Sequence, residues 1–161
     1  MKGEELKRLA IEKALLLVDE PPENWKTFND KLNTFILKDR EQVRSKIEFN
    51  KEEEPILECV LIDSFFIVTT ERIVSMLSDK YYELQLKDFS GFGNDHEQEN
   101  NRLTNGRLPK TNLIVVRYSG GEIYFKIDSY YPAHFAKVLI QNLSVYLQTG
   151  TWFWDPKPKA K

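Results

Sequence analysis

"FFIVTTERIVSML", residues 65–77, decides how the chain is read. Two short apolar runs are broken by Thr69, Thr70, Glu71 and Arg72. The break is either a functional site or the bend between two strands of a scaffold, and its surroundings favour the bend. "PILECVLID", "FFIVTT" and "RIVSML" are β-branched and aromatic runs of strand length, separated by turn formers such as Asp63 and Ser64. At such a bend threonine hydroxyls bond nearby backbone and an arginine pairs locally.

Toward the C-terminus, "YYELQLKD" alternates. Tyr82, Leu84 and Leu86 share one face and Glu83, Gln85 and Lys87 the other, which predicts a half-buried antiparallel strand. Residues 89–112 open with glycines and turn polar, and most of them read as a long loop, a feature often functional or mobile in a compact domain. "NLIVVRYSGGEIYFKID" predicts a hairpin with Gly120 and Gly121 at its tip. "YYPAHFAKVLIQNLSVYLQTG" predicts a helix: Pro132 suits its first turn, Phe135, Val138, Leu139, Asn142, Leu143 and Tyr146 recur at helical spacing, and Gly150 closes it. The tail, 151–161, carries Trp152 and Trp154 and is expected to be disordered past Pro156.

Toward the N-terminus, Leu6, Leu9, Ala10, Ala14 and Leu17 mark an amphipathic helix closed by "DEPPEN". Trp25, Phe28, Leu32, Phe35 and Ile36 form a further apolar stripe, read as a second helix. Residues 1–50 are thus expected to be a two-helix extension packed on a main domain of residues 51–150, because a helix pair has no core of its own. "KDREQVRSKIEFNKEEE" is the charged connection between them, with continuation of the helix as one reading.

A chain of 161 residues suits one domain with an extension. Its net charge of -2 and pI near 5.8 supply no overall field toward nucleic acid or an anionic membrane. "ALLLV", residues 14–18, is too short for a signal-peptide core, and no run approaches the ~20 apolar residues of a membrane helix. The single Cys59 lies in a strand pattern and has no internal disulfide partner, so a cytoplasmic location is expected.

The fold class expected is α+β. A run of about six or seven antiparallel strands closed by one helix resembles the pleckstrin-homology-like superfold, in particular bacterial PH-like and GRAM-like domains. The bend Thr69, Thr70, Glu71, Arg72, Ile73 is similar to the Thr/Arg bend between their second and third strands. "YYELQLKDFSGFG" looks like their next strand, and "VVRYSGGEIYFKI" leading into "HFAKVLIQNL" looks like their last hairpin and helix. The resemblance covers about residues 55–148 and implies a β-barrel or sandwich with a binding role.

The inventory for catalysis is thin. Asp95, His96, Glu97 and Glu99 have no zinc or EF-hand spacing and read as a solvated acidic loop, and His134 has no second histidine near it. Neither a phosphate loop nor a nucleophile elbow appears, so no catalytic residue, metal or cofactor is expected. Some PH domains hold lipid headgroups with lysines and arginines between their first two strands. The corresponding turn here, "LIDSFF", carries Asp63 instead, which argues against that site. Arg102, Arg107 and Lys110 are too few for nucleic acid. The expectation is a non-catalytic protein-interaction module, with Asp95, Glu97, Glu99, Phe92, Trp152 and Trp154 as candidate contacts. One version is an immunity-type inhibitor whose acidic surface neutralises a basic partner. The alternative is a peripheral lipid-binding module, and an unrecognised hydrolase is third.

Overall fold

The computed structural model describes residues 2–27, 31–93 and 110–152. Helix α1 spans Gly3–Leu15. The strands are β1 (Thr34–Ile36), β2 (Pro55–Val60), β3 (Ser64–Thr69), β4 (Arg72–Leu77), β5 (Lys80–Gln85), β6 (Phe89–Phe92), β7 (Thr111–Tyr118) and β8 (Gly121–Asp128), and helix α2 spans Tyr131–Thr149. β1 to β5 form one antiparallel sheet in chain order, and β6 to β8 form a second. The α+β class expected from the sequence is present, as two sheets rather than a closed barrel.

The meander follows from local chemistry. β3 ends at Thr69 and β4 begins at Arg72, so the polar break is the bend between paired strands. At the next turn Ser78 and Asp79 take φ of 50° and 65°. Two successive left-handed residues match the right-handed twist of the arms they join.

The two sheets meet through aromatic side chains. Leu57, Val68, Ile73 and Leu84 stand opposite one another across β2 to β5 and face the shared core. Phe66 of β3 stacks on Phe125 of β8, ring centroids 3.7 Å apart and planes 7° from parallel. Ser75 Oγ donates to the Tyr124 carbonyl at 2.6 Å, so β4 is tied to β8 by a polar contact as well. α2 lays Phe135, Ala136, Leu139, Ile140 and Leu143 into the same core, and its C-cap Gly150 takes the left-handed φ of 80° that a helix stop favours. Leu6, Ala10 and Ala14 of α1, each four residues apart, join it, with α1 lying against α2. Each fully buried large apolar side chain contributes about 1.5–3 kcal/mol.

Two expectations change. The stripe Trp25 to Ile36 is no second helix among the described residues, outside which Phe28 lies: a 3-10 turn spans Pro22–Thr27, and Thr34–Ile36 is strand β1, paired with β2. The alternation is strand-like, since Thr34 is buried while Phe35 is 46% exposed. Trp25 is buried in the main core, its ring centroid 5.3 Å from that of Phe135, and Leu32 and Ile36 pack against the same core. The charged connection is mostly irregular, with one 3-10 turn, Arg40–Gln42, whose Glu41 and Gln42 amides donate to the Asp39 side chain. Within residues 51–150 the seven strands β2 to β8, the short β6 at Phe89–Phe92 among them, match the expected six or seven, and β1 before them is an eighth among the described residues. The expected disorder past Pro156 falls outside the described residues.

Candidate functional site

The bend that opened the sequence reading is a buried electrostatic clasp. Thr69 Oγ1 accepts from the Glu71 and Arg72 amides, at 3.1 and 3.0 Å, and donates to Glu53 Oε2 at 2.5 Å. Arg72 grips the same carboxylate with two nitrogens, Nε at 2.8 Å from Oε2 and Nη2 at 3.1 Å from Oε1. It also bonds Glu83 and the Glu48 carbonyl. Burial alone would raise the Glu53 carboxyl, but hydrogen bonds from Arg72, Thr69 and the Asn50 amide, with the Arg72 charge, hold it below its ordinary value. Hydrogen bonding to Glu53 in turn raises the Arg72 guanidinium, outweighing its burial. All of these bonds are internal, so Thr69 and Arg72 are scaffold residues that pin the segment before β2 onto the sheet.

A second buried carboxylate pins the same segment further up. Glu58 on β2 is 4% exposed. Its Oε2 accepts from the Arg44 amide at 3.0 Å, the Ser45 amide at 2.8 Å and Ser45 Oγ at 2.6 Å. Its Oε1 receives only the Arg44 amide, at 3.2 Å. Unlike Glu53, it has no ion-pair partner among the described residues.

These two anchors decide how the outer face of the five-stranded sheet is covered. Phe35, Glu58, Ile67, Val74 and Glu83 form one row across β1 to β5. Leu37, Val43, Ile47 and Phe49 of the pinned segment pack over Ile67 and Val74. The adjacent row, Val60, Phe65, Met76 and Tyr81, is left partly open, with Tyr81 51% exposed. Where the open row meets β1, a cleft of about 400 Å³ lies between Phe35, Ile36, Leu37 and Val60, with Glu58 and Arg44 also lining it. A second cleft, of about 360 Å³, lies on the other side of Phe35 against Trp25 and Leu32.

Of the residues singled out from the sequence, Phe92 and Trp152 are described. Phe92 packs edge-on against Phe89, with Lys137 Nζ 5.7 Å from its ring centre, and Trp152 stacks on Tyr146 at 4.4 Å. Both are half-buried against the main core. They lie near α2 and are not among the residues of the outer sheet face. Asp95, Glu97, Glu99 and Trp154 lie outside the described residues, as does His96. Sequence reading missed Glu58 and Phe35. The signal for Glu58 was a lone acid inside an apolar strand; for Phe35 it was the β-branched pair Thr34 and Ile36 around an aromatic.

Groups with chemical potential elsewhere are muted. Burial pushes the Cys59 thiol up to about 12, so little thiolate forms at neutral pH. His134 is exposed on α2. No three His, Cys, Asp or Glu side chains converge as a metal set among the described residues, and no helix among them is long and apolar enough to cross a membrane. The open, partly apolar sheet face is what this geometry offers a ligand. Comparison with protein-family models, with curated proteins and with solved structures found no match.

Proposed function

We propose that the chain is a non-catalytic protein-interaction module of the PH-like type, binding another protein through the outer face of its five-stranded sheet. The carrying observation is the half-covered sheet: the pinned segment seals Ile67 and Val74, while Val60, Phe65 and Met76 in the adjacent row are only partly covered and Phe35 and Tyr81 are exposed. A solvent-side sheet face normally carries polar residues, so a contiguous apolar row rimmed by charges is the signature of a contact surface. The PH-like part of the reading is supported by order. A four-strand meander from β2 to β5, a three-strand meander and a closing helix follow one another as the sequence motifs imply. Within it, an inhibitor or immunity-type role toward a basic partner remains the specific version.

Site-specific photo-crosslinking tests this. A photoreactive residue at Phe35 or Tyr81 is expected to capture one and the same protein from native lysate, and one at Gln141, exposed on α2, to capture none. Equal capture from all three positions refutes the surface. A second reading, a peripheral lipid module, is favoured by Ile62, which stands fully exposed in the turn between β2 and β3. Salt-sensitive liposome binding lost in Ile62→Ser, without protein capture, would select it.

A further inference from the structure

We propose that Glu58 is the receptor for a cationic side chain, an arginine or lysine of the partner protein, taken up in the cleft beside β1. The inference rests on the protein-interaction reading above and names the chemistry of the partner at that face.

The argument starts from the contrast between two buried glutamates that anchor one segment. Glu53 meets a guanidinium through both oxygens. Glu58, 4% exposed, meets only two amides and a hydroxyl, and nearly all of that falls on Oε2. A carboxylate withdrawn from water is costly unless a cation or a full set of donors compensates it. Oε1, with a single 3.2 Å contact, keeps acceptor capacity unused.

The surroundings suit a long cationic side chain. The cleft of about 400 Å³ has apolar walls in Phe35, Ile36, Leu37 and Val60, against which an aliphatic stem packs while its charged head reaches the carboxylate. Phe35 stands directly opposite Glu58 across the β1–β2 ladder, so the ring and the acid share one face. A cation held between an aromatic face and a carboxylate gains from both. Arg44 lines the same cleft, its guanidinium without an ion-pair or hydrogen-bond partner among the described residues, and it opposes an incoming cation. It therefore acts as a discriminating rim that weakens the hold on a cation without closing the cleft to it.

The test is a titration of the full chain with acetyl-Gly-Arg-Gly-amide, followed by the methyl signals of Ile36, Leu37 and Val60. The citrulline, lysine and glutamate peptides are run beside it. Saturable shifts with arginine or lysine, and at least roughly tenfold weaker binding of the uncharged citrulline isostere, are expected, since the charge-assisted bond carries the difference. Glu58→Gln should weaken the arginine peptide by a similar factor and Arg44→Ala should tighten it. Phe35→Ala, a surface change that leaves Ser45 anchored, should weaken it several-fold even if Glu58→Gln fails to fold. Equal binding of citrulline, preference for the glutamate peptide through Arg44, or no saturation at tens of millimolar overturns the proposal. The two readings fail separately. A partner captured at Phe35 and Tyr81 whose capture is unchanged by Glu58→Gln sinks the cation receptor and leaves the module. Absence of any captured partner sinks the module, while the peptide titration still reads the cleft.

Discussion

Replacing Arg72 by methionine tests the account of the bend most directly. The side chain is 11% exposed and its partner Glu53 is 0% exposed, so the substitution strands a carboxylate with no route to water. Breaking a buried pair from one side costs about 3–5 kcal/mol. The second pair, to Glu83, adds little because that carboxylate is 39% exposed. A loss of about 3–4 kcal/mol is therefore expected. At about 2–4 °C per kcal/mol for a chain of this size, Tm falls by about 6–16 °C. Urea unfolding measures the loss, and the cycle with Glu53→Gln separates the pair from the positions. Removing the charge on both sides should return at least about 1.5 kcal/mol relative to the sum of the single losses. The pH dependence follows from the direction of the Glu53 shift. Its carboxyl is held below the ordinary value of 4.5, so its contribution is fully present above that pH and is lost as pH falls through the lower folded-state value. In Arg72→Met only burial and the remaining donors act, protonation comes more readily, and the deficit against the native chain shrinks as the solution is acidified. A loss under about 1 kcal/mol, or additive single changes, would refute the buried clasp.

Further outcomes follow from single contacts. Gly3→Ala places a Cβ 2.0 Å from the Glu52 carbonyl oxygen, so α1 must lift; a loss of about 1–3 kcal/mol by thermal melting is expected, and an unchanged Tm would contradict the close approach. Phe125→Ala removes one ring of the stack joining the sheets and should cost about 3–5 kcal/mol. Asp128 accepts from Thr34 Oγ1 at 2.5 Å and the Asn33 amide at 2.9 Å, so Asp128→Ala should speed amide exchange at Phe35 and Leu37 more than in β3. Cys59, buried and with its thiol near 12, should resist a thiol reagent at pH 8 in the folded chain and react only on unfolding; rapid reaction would show that β2 opens locally.

Patterns of period and turn chemistry were legible because they are local. The alternation of Tyr82 and Leu84, the glycine-tipped hairpin and the stripe from Phe135 to Leu143 each report a face within one element. Thr69 and Arg72 were legible as a bend, since Thr69 Oγ1 bonds the Arg72 backbone three positions on, but the Arg72 guanidinium pairs with Glu53, nineteen positions away, rather than locally. Phe35 was not, since Thr34–Ile36 is a three-residue strand and its apolar neighbours also satisfy a helical spacing. Its strand state is decided by pairing with β2, at residues more than twenty positions away.

The same division holds for the candidate site. By itself the sequence determined the α+β class, the strand bend and the two amphipathic helices, because each depends on residues within a few positions of one another. Only the tertiary structure decided which half of the sheet is sealed and which glutamate finds a guanidinium. Glu53, in an acidic run, and Glu58, alone in an apolar strand, stand five positions apart, and neither local context names its partner. Glu53, in the irregular segment before β2, meets Arg72 of β4, while Glu58, within β2, lies on the outer face opposite Phe35 because strand register, not sequence distance, sets which face a strand side chain takes.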